Sequence, residues 1–489
     1  MEITLIGIIV IIFSIVAFIK NEDWLLYAVI FSSTFVAAMA LNIFKTTTAI
    51  IPFEIPMILW ILKQLINTIK YRKKISIDII KSTLKNNKLF TALFIFSVII
   101  IISEIWLLIS GINYPYYDIL YHKDTFIKFS SSNITQPVRV IIYLIFSMLL
   151  SLKNISKEQI KKLLKIFAAS SLFAVIWGYI QFISFYFGID YPTIFNNNPY
   201  YYQGYEQIIF GIKRISSIGS EPSVFSLNLL AFIPIILIEW CFMEKSKSKI
   251  YKCILNLVLI FSIVCLILTT SSTSYFGFAG CIVFLFFYLL LSKISNKKQI
   301  IFKLIFYLFI VVVIAISFCI MAKHIAKKEY NTNNKTMQVS TKEKNNQNLI
   351  QKDNIKSEYT NFLDMIKNMT VSKLSTGSAQ ERLKREQLSI EFFKKSPIFG
   401  VGFGSFRTFS MLTNITVNIG ILGLIVFIYL NYIVFSKIFK NIKNDIKYGL
   451  IFLLSIVGMS IALAISIPDL IYIYYWIIFV LSYKYFETE

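Results

Sequence analysis

Charge is scarce in this 489-residue chain: charged residues are only 15% of it, against about 25% in soluble domains. Histidine occurs twice, at His122 and His324. These positions are far apart, so a histidine-built metal centre is not expected. The five cysteines (Cys241, Cys253, Cys265, Cys281, Cys319) lie in or beside apolar runs, and none forms a CxxC pair. Neither a zinc site nor a disulfide framework follows from that spacing. No GxxxxGK[ST] loop and no HExxH pair occurs, which argues against an ATP-driven machine and a zinc protease. No basic stretch precedes the first apolar run, and that run is too long for a cleaved signal peptide, so a permanent span is expected there. No internal repeat is visible.

What the chain has instead is apolar surface. Hydrophobic residues make up 56% and aromatic residues 16%, and the mean hydropathy is +0.68. Such a composition excludes a cytosolic enzyme, a disordered protein and a secreted disulfide scaffold. Lys and Arg number 49 against 26 Asp and Glu, a net charge of +23. Nucleic acid is not the expected partner, because most basic residues sit in short links between apolar runs. There they orient a membrane protein.

Apolar runs of spanning length, about 20 residues each, recur from end to end. Twelve are clear: Ile3–Ile19, Trp24–Ile43, Leu89–Ser110, Val138–Leu152, Ile166–Ile189, Val224–Met243, Cys253–Thr270, Tyr275–Ser292, Ile300–Met321, Ile415–Phe435, Leu450–Ile467 and Leu470–Tyr483. A weaker one, Ala49–Ile69, is interrupted by Pro52, Glu54, Pro56 and Lys63. Backbone groups in lipid must be satisfied within the segment, so the runs are helices. The expected fold is an all-α polytopic membrane protein with about 12–14 transmembrane helices and a large helical extracytoplasmic loop. Few ionisable residues fall inside or at the ends of these runs: Glu54, Lys63, Glu104, Arg139 and Glu239. They read either as functional groups or as snorkelling and capping residues.

Loop charge sets the orientation. Links 70–88, 153–165, 245–252, 293–298 and 437–447 are lysine-rich, whereas the opposite short links hold only Lys45, Lys123, Lys128, Lys213 and Arg214. The positive-inside rule places the first set in the cytoplasm. Segments 111–136, 190–221 and 322–411 then face outside. The expected organisation is a first membrane bundle over 1–321, the large outer loop over 322–411, and a last bundle part over 412–489. Within the loop, Asn331–Ser357 is rich in Asn, Lys, Gln and Thr, a composition that reads as poorly ordered.

Candidate chemistry lies in the outer segments. The second joins Tyr200, Tyr201, Tyr202 and Tyr205 to RISSIGSEPS over 214–223. Arg214 is a cation across the physiological pH range, and its donor fork suits phosphate oxygens. Glu221 stands just before Pro222, where a helix is expected to start. One reading is an anion-handling site; the other is an interfacial ion pair with an ordinary aromatic belt. In the third segment, Ser378 with Glu381 three residues later is a capping-box pattern, and Pro397 closes the helix. Arg382 and Arg385, three apart, share one of its faces. That helix reads either as a presenter of arginines or as a solvated amphipathic surface helix. GVGFG over 400–404 follows, with Arg407 beyond it. Its glycines, Gly400 and Gly402 among them, either bring backbone amides to an anion or mark a turn.

Together these stretches resemble the bacterial O-antigen and capsular polysaccharide polymerases, within the broader O-antigen ligase/polymerase superfamily. RISSIGSEPSVFS over 214–226 resembles the family's Arg…Glu-Pro entry to a helix in an earlier outer loop. GSAQERLKREQLSIEFFKKSPIFGVGFGSF over 377–406, followed by NIGILGL over 418–424, resembles its arginine-bearing helix, its Pro-x-x-Gly-x-Gly turn and the Gly-x-x-Gly opening of the next span. Two departures stand out. Superfamily ligases typically carry a histidine near the end of the large loop, where this chain has MLTNIT over 411–416. Many members carry Ser-Arg in a short outer turn, where this chain has SSTSYF over 271–276.

The resemblance implies a membrane glycosyltransferase that polymerises undecaprenyl-diphosphate-linked oligosaccharide repeat units into O-antigen or capsular polysaccharide. The growing chain would pass to the non-reducing end of a new unit. It implies a bacterial inner membrane location with the site facing the periplasm or outside, and a chain-length regulator and a flippase as partners beside membrane lipids. Charge builds on the departing diphosphate, and fixed cations stabilise it. Arg214 and Arg382 are the expected cations, with Arg385 and Arg407 as further phosphate-binding residues. Glu221 is the expected base for the acceptor hydroxyl, and Tyr200, Tyr201, Tyr202 and Tyr205 the expected sugar-stacking residues. No Asp-x-Asp pair occurs in an outer loop, so a metal-independent reaction without a cofactor is expected. Three alternatives remain: a ligase of the same superfamily, a lipid-linked oligosaccharide transporter, and a structural scaffold.

Overall fold

The computed structural model describes residues 2–42, 49–70, 82, 84–118, 123–199, 208–209, 212–244, 246, 248–291 and 377–487, with scattered positions between 298 and 317. The helices in chain order are α1 (Leu5–Lys20), α2 (Glu22–Ser32), α3 (Glu54–Lys70), α4 (Lys88–Ser110), α5 (Ser132–Leu152), α6 (Lys157–Phe187), α7 (Pro222–Cys241), α8 (Lys249–Leu268), α9 (Ser272–Leu291), α10 (Gly377–Lys395), α11 (Met411–Asn441), α12 (Ile446–Ser466) and α13 (Ile473–Tyr485). Among the described residues, eight of them (α4–α9, α11 and α12) are long and apolar enough to cross a membrane. The chain is an all-α polytopic membrane protein. The expected span over Ile300–Met321 and the Asn331–Ser357 stretch lie largely or wholly outside the described residues.

The helices pack around α13, which is buried along its whole length and rests on α5, α11 and α12. Next to it α12 packs on α7 and α9. Their close approach uses Gly458, where an added Cβ would lie 2.7 Å from Cys281 Sγ. The lysine-rich end is tied by ion pairs: Lys153 to Glu22 and Asp23 at 2.5 and 3.0 Å, and Lys447 to Glu239 at 2.7 Å.

Three elements differ from the sequence expectation. The run Trp24–Ile43 is not one helix. α2 ends at Ser32, where the Ser32 and Ser33 hydroxyls donate to Ala28 O and Ile30 O, a local competition with helix continuation. Residues 33–40 are buried yet non-helical. Their backbone is satisfied from elsewhere: Ala37 N donates to Ile218 O, Ala40 N to Ile50 O and Met39 N to Asn197 Oδ1. Irregular backbone is tolerated at such depth only when protein surrounds it.

The doubtful run at Ala49–Ile69 is a helix from Glu54 onward, and its interrupting carboxylate is paired. Glu54 Oε1 lies 2.8 Å from Arg139 Nε and accepts from the Tyr143 hydroxyl at 2.5 Å. Arg139 and Glu54 are therefore structural partners.

The first outer segment holds a β-hairpin, which the helical reading missed. β1 (Glu2–Ile3) pairs with β2 (Leu41–Asn42), while β3 (Tyr114–Asp118) and β4 (Lys123–Ile127) pair antiparallel from Tyr114↔Ile127 to Asp118↔Lys123. The period-2 signal in YPYYD and KDTFI is short and mostly polar, so it is easily taken for loop.

The hairpin and α10 share a small core of their own: Leu107, Ile112, Ile127, Phe392, Val401, Phe406 and Val417. Tyr116 meets Phe392 and Phe406 edge-on at 5.6 and 5.4 Å, and Tyr114 stacks on Phe392 at 6.3 Å. Aromatic contacts of this kind give a small outer layer definite geometry.

Candidate functional site

α10 is held by one buried ion pair. Arg385 Nη1 lies 2.9 Å from Asp118 Oδ1 on the hairpin, and its Nε donates to Arg407 O at 2.5 Å. The guanidinium also covers the Phe406 ring at 5.0 Å. One turn earlier Arg382 lies over Phe409 at the same 5.0 Å, and Glu386 Oε1 accepts from Phe409 N. The two arginines do share a face, turned toward segment 406–409. Arg385, however, is 5% exposed, with Nε on Arg407 O and Nη1 on Asp118. It fixes α10, and thereby Arg382, against the hairpin.

The turn after α10 is likewise structural. Gly400 N donates to Ser396 O and Gly402 N to Asn418 O, so both amides are used within the turn. α11 breaks where this turn enters it, at Gly420, whose φ is +71°. A Cβ there would fall 2.1 Å from Ile398 O. Val417 O and Asn418 O, released by the break, accept from Val401 N and Gly402 N, and Ile421 N donates to Pro397 O. The Asn418 side chain closes the turn onto both backbone groups of Phe406.

Arg407 follows with its side chain 57% exposed, 3.0 Å from Asp469 Oδ2 in the α12–α13 turn.

The second outer segment reaches the same end of the bundle. β5 (Ile208–Ile209) pairs with β6 (Ile212–Lys213), and the chain then docks on the end of α8. Ile215 N donates to Leu268 O and Arg214 Nε to Thr269 O at 2.9 Å. Gln181 Oε1 accepts from both Ser216 N and Ser217 N. Glu221 is the N-cap of α7, which starts at Pro222 as expected. Ser223 Oγ donates to Glu221 Oε2 at 3.2 Å. Tyr200, Tyr201, Tyr202 and Tyr205 lie outside the described residues.

These pieces meet electrostatically. Burial pushes the Arg214 guanidinium down to about 10; Glu221 and Tyr275 oppose that shift, and Arg382 adds to it. Arg382 is lowered too, first by desolvation, with Glu221 opposing. Arg382 is exposed by surface area and rests on the Phe409 ring. Arg214, Glu221 and Arg382, from two distant segments, therefore lie within one another's field. Tyr472 extends the group, lying in electrostatic range of Asp469, Glu221 and Arg407.

The chain's arginines differ in how they are neutralised. Arg139 has Glu54, Arg385 has Asp118 and Arg407 has Asp469. Arg214 and Arg382 both lie in the field of Glu221. Two guanidinium groups brought together from separate segments suit a polyanionic group.

Sequence reading missed Asp118, Asp469, Thr269, Tyr275 and Tyr472. Their separations from the arginines they meet run from 55 to 267 residues, and only the fold brings them near. Among the described residues no three His, Cys, Asp or Glu side chains gather as a metal centre would require.

Comparison with curated proteins finds no match. Residues 257–428 match the family model described as O-antigen ligase. The matched stretch holds α9, α10, Arg382, the glycine turn and Arg407, while Arg214 and Glu221 lie before it. Over this stretch the chain is similar to O-antigen ligases, which supports a membrane glycan transferase of the O-antigen ligase/polymerase superfamily acting on lipid-linked oligosaccharide.

Proposed function

We propose that the protein polymerises lipid-diphosphate-linked oligosaccharide repeat units, with Arg214, Arg382 and Glu221 as its reaction centre. The observation that carries this reading is the shared field of two guanidinium groups and one carboxylate from separate outer segments. In the reaction an acceptor hydroxyl oxygen bonds to the anomeric carbon of the donor chain. The bond from that carbon to the diphosphate oxygen breaks, and the electron pair leaves with the diphosphate. The hydroxyl proton passes to Glu221. Arg214 and Arg382 stabilise the charge growing on the leaving group, where it exceeds that of the ground state. Arg407, exposed and, like Glu221, within electrostatic range of Tyr472, binds a second phosphate or sugar oxygen. The undecaprenyl tail runs along lipid-facing helices, the site opens to the periplasmic side, and a flippase and a chain-length regulator work beside it. No metal takes part.

The ligase reading has its own support in the description of the matched family. The polymerase reading is favoured because no histidine falls in MLTNIT over 411–416, the end of the large loop where superfamily ligases typically carry one. One experiment separates them. Purified protein is incubated with lipid-linked repeat units, alone and with a lipid A–core acceptor. Ladders that stay on the lipid diphosphate support polymerisation. Transfer only to the added acceptor means ligase, and movement across a vesicle bilayer without new bonds means transporter.

A further inference from the structure

Two residues other than glycine have positive φ among the described residues, and both stand beside Arg214: Ser217 at +52° and Thr270 at +42°. Left-handed backbone is costly for side chains with a Cβ, more so for a β-branched one. The two are supported very differently. Ser217 is held on every side: its N donates to Gln181 Oε1, its hydroxyl donates to Ala174 O, and its carbonyl accepts from Tyr191 and Asn196. Nothing comparable holds the Thr270 side chain. It is 3% exposed, and its hydroxyl has no hydrogen-bond partner among the described residues.

Thr270 occupies the position just past the end of α8, where glycine is the usual residue. Its backbone conformation reverses the chain between α8 and α9. It also follows directly on Thr269, whose carbonyl accepts from Arg214 Nε. The Thr269 hydroxyl is already used, in a ring with Ser226 and Ser274. Glycine would give the same turn without strain. A threonine that is both strained and left with a buried, unused hydroxyl needs a reason beyond the turn itself.

We propose that the Thr270 hydroxyl is a substrate-binding group, which donates to an oxygen of the diphosphate held by Arg214. This rests on the reading of the site given above and names a further contact within it. In the empty protein the hydroxyl is closed off from water, so no solvent competes for it. Admitting a phosphate oxygen requires the 269–272 turn to shift, and a strained residue makes that shift less costly.

The test compares wild type, Arg214→Ala, Thr270→Gly and Thr270→Ser for binding of farnesyl diphosphate, a short soluble lipid diphosphate, and for thermal stability when empty. Thr270→Gly suits the local φ and keeps the turn, so the empty protein should melt at the same temperature or higher. Its affinity should fall about tenfold, the size of one hydrogen bond to a charged group. Thr270→Ser keeps the hydroxyl, and Ser217 shows that serine tolerates this backbone, so its affinity should stay within about threefold of wild type. The proposal is overturned if Thr270→Gly binds as wild type does while Arg214→Ala has lost binding. Equal losses in the glycine and serine variants also overturn it, since the hydroxyl would then not be the cause. If Arg214→Ala binds like wild type, the diphosphate site itself falls, and the Thr270 contact with it.

Discussion

Arg385 and Asp118 form a buried pair, 2.9 Å apart, that joins the arginine helix to a hairpin more than 250 residues earlier in the chain. Removing one partner leaves the other a buried charge without its counter-ion in this pair, which costs about 3–5 kcal/mol. Arg385→Met and Asp118→Asn should each lower the melting temperature of the purified protein sharply. The double variant should recover much of that loss, because the stranded charge is gone. Chain elongation should fall in the single variants through misplacement of Arg382, with donor affinity falling alongside.

Arg214 and Arg382 are expected to act directly. Loss of one charge-stabilising donor typically costs about 10²–10³ in rate. Arg214→Ala and Arg382→Ala should therefore abolish long-chain polymer in cells while the protein still accumulates in the membrane. Lysine at either position keeps the charge and loses the planar fork, so partial activity at best is expected. Polymer length distributions on gels check this. Unchanged distributions in both alanine variants would remove these residues from the reaction.

Glu221→Gln separates proton acceptance from simple charge balance. As a base, Glu221 contributes roughly 10²–10⁴ to the rate, and glutamine cannot take the proton. Donor binding should persist or tighten, because the arginines lose a competing anion. A normal turnover with glutamine would assign Glu221 to orienting the arginines instead.

Much of this architecture was legible from the chain because lipid leaves few options. Long apolar runs gave most of the helices. Pro222 gave the start of α7, and the Ser378–Glu381 pattern gave α10 to within a residue. The break after Ser32 was not legible, since Ser32 and Ser33 fit a span by composition and stop it only through hydrogen bonds to Ala28 and Ile30. The division of labour among arginines was equally hidden. Arg382 and Arg385 look alike in sequence, and only the position of Asp118 makes one an anchor and leaves the other facing Glu221.

Burial lowers Arg214 to about 10, so its charge is lost within reach of experiment. The sign is that of a base less readily charged when folded: its burden on stability is full below pH 10 and fades above it, while its catalytic charge disappears. Elongation should therefore fall as pH rises through about 10. In Arg214→Lys the ordinary value starts lower, at about 10.4, and the same burial acts on it. The alkaline fall of that variant should move to lower pH than in wild type. A pH–rate profile of both proteins decides this, and coincident alkaline limbs would exclude Arg214 as the titrating group.

Gly420 tests whether the broken span positions the site. Its φ of +71° and the 2.1 Å approach of Ile398 O to an added Cβ exclude any side chain without rearrangement. Gly420→Ala must either expel the 397–402 turn from α11 or distort the helix, at an expected cost of ~2 kcal/mol or more. The amides of Val401 and Gly402 would then lose Val417 O and Asn418 O, and the anchoring of Arg407 and α10 would loosen with them. The variant should melt lower than wild type and elongate poorly even at temperatures where it remains folded. Gly111→Ala is the control: it too has positive φ, but no atom lies within 4 Å of its added Cβ. It should show only the modest loss of a strained helix terminus, about 1 kcal/mol, and keep its activity.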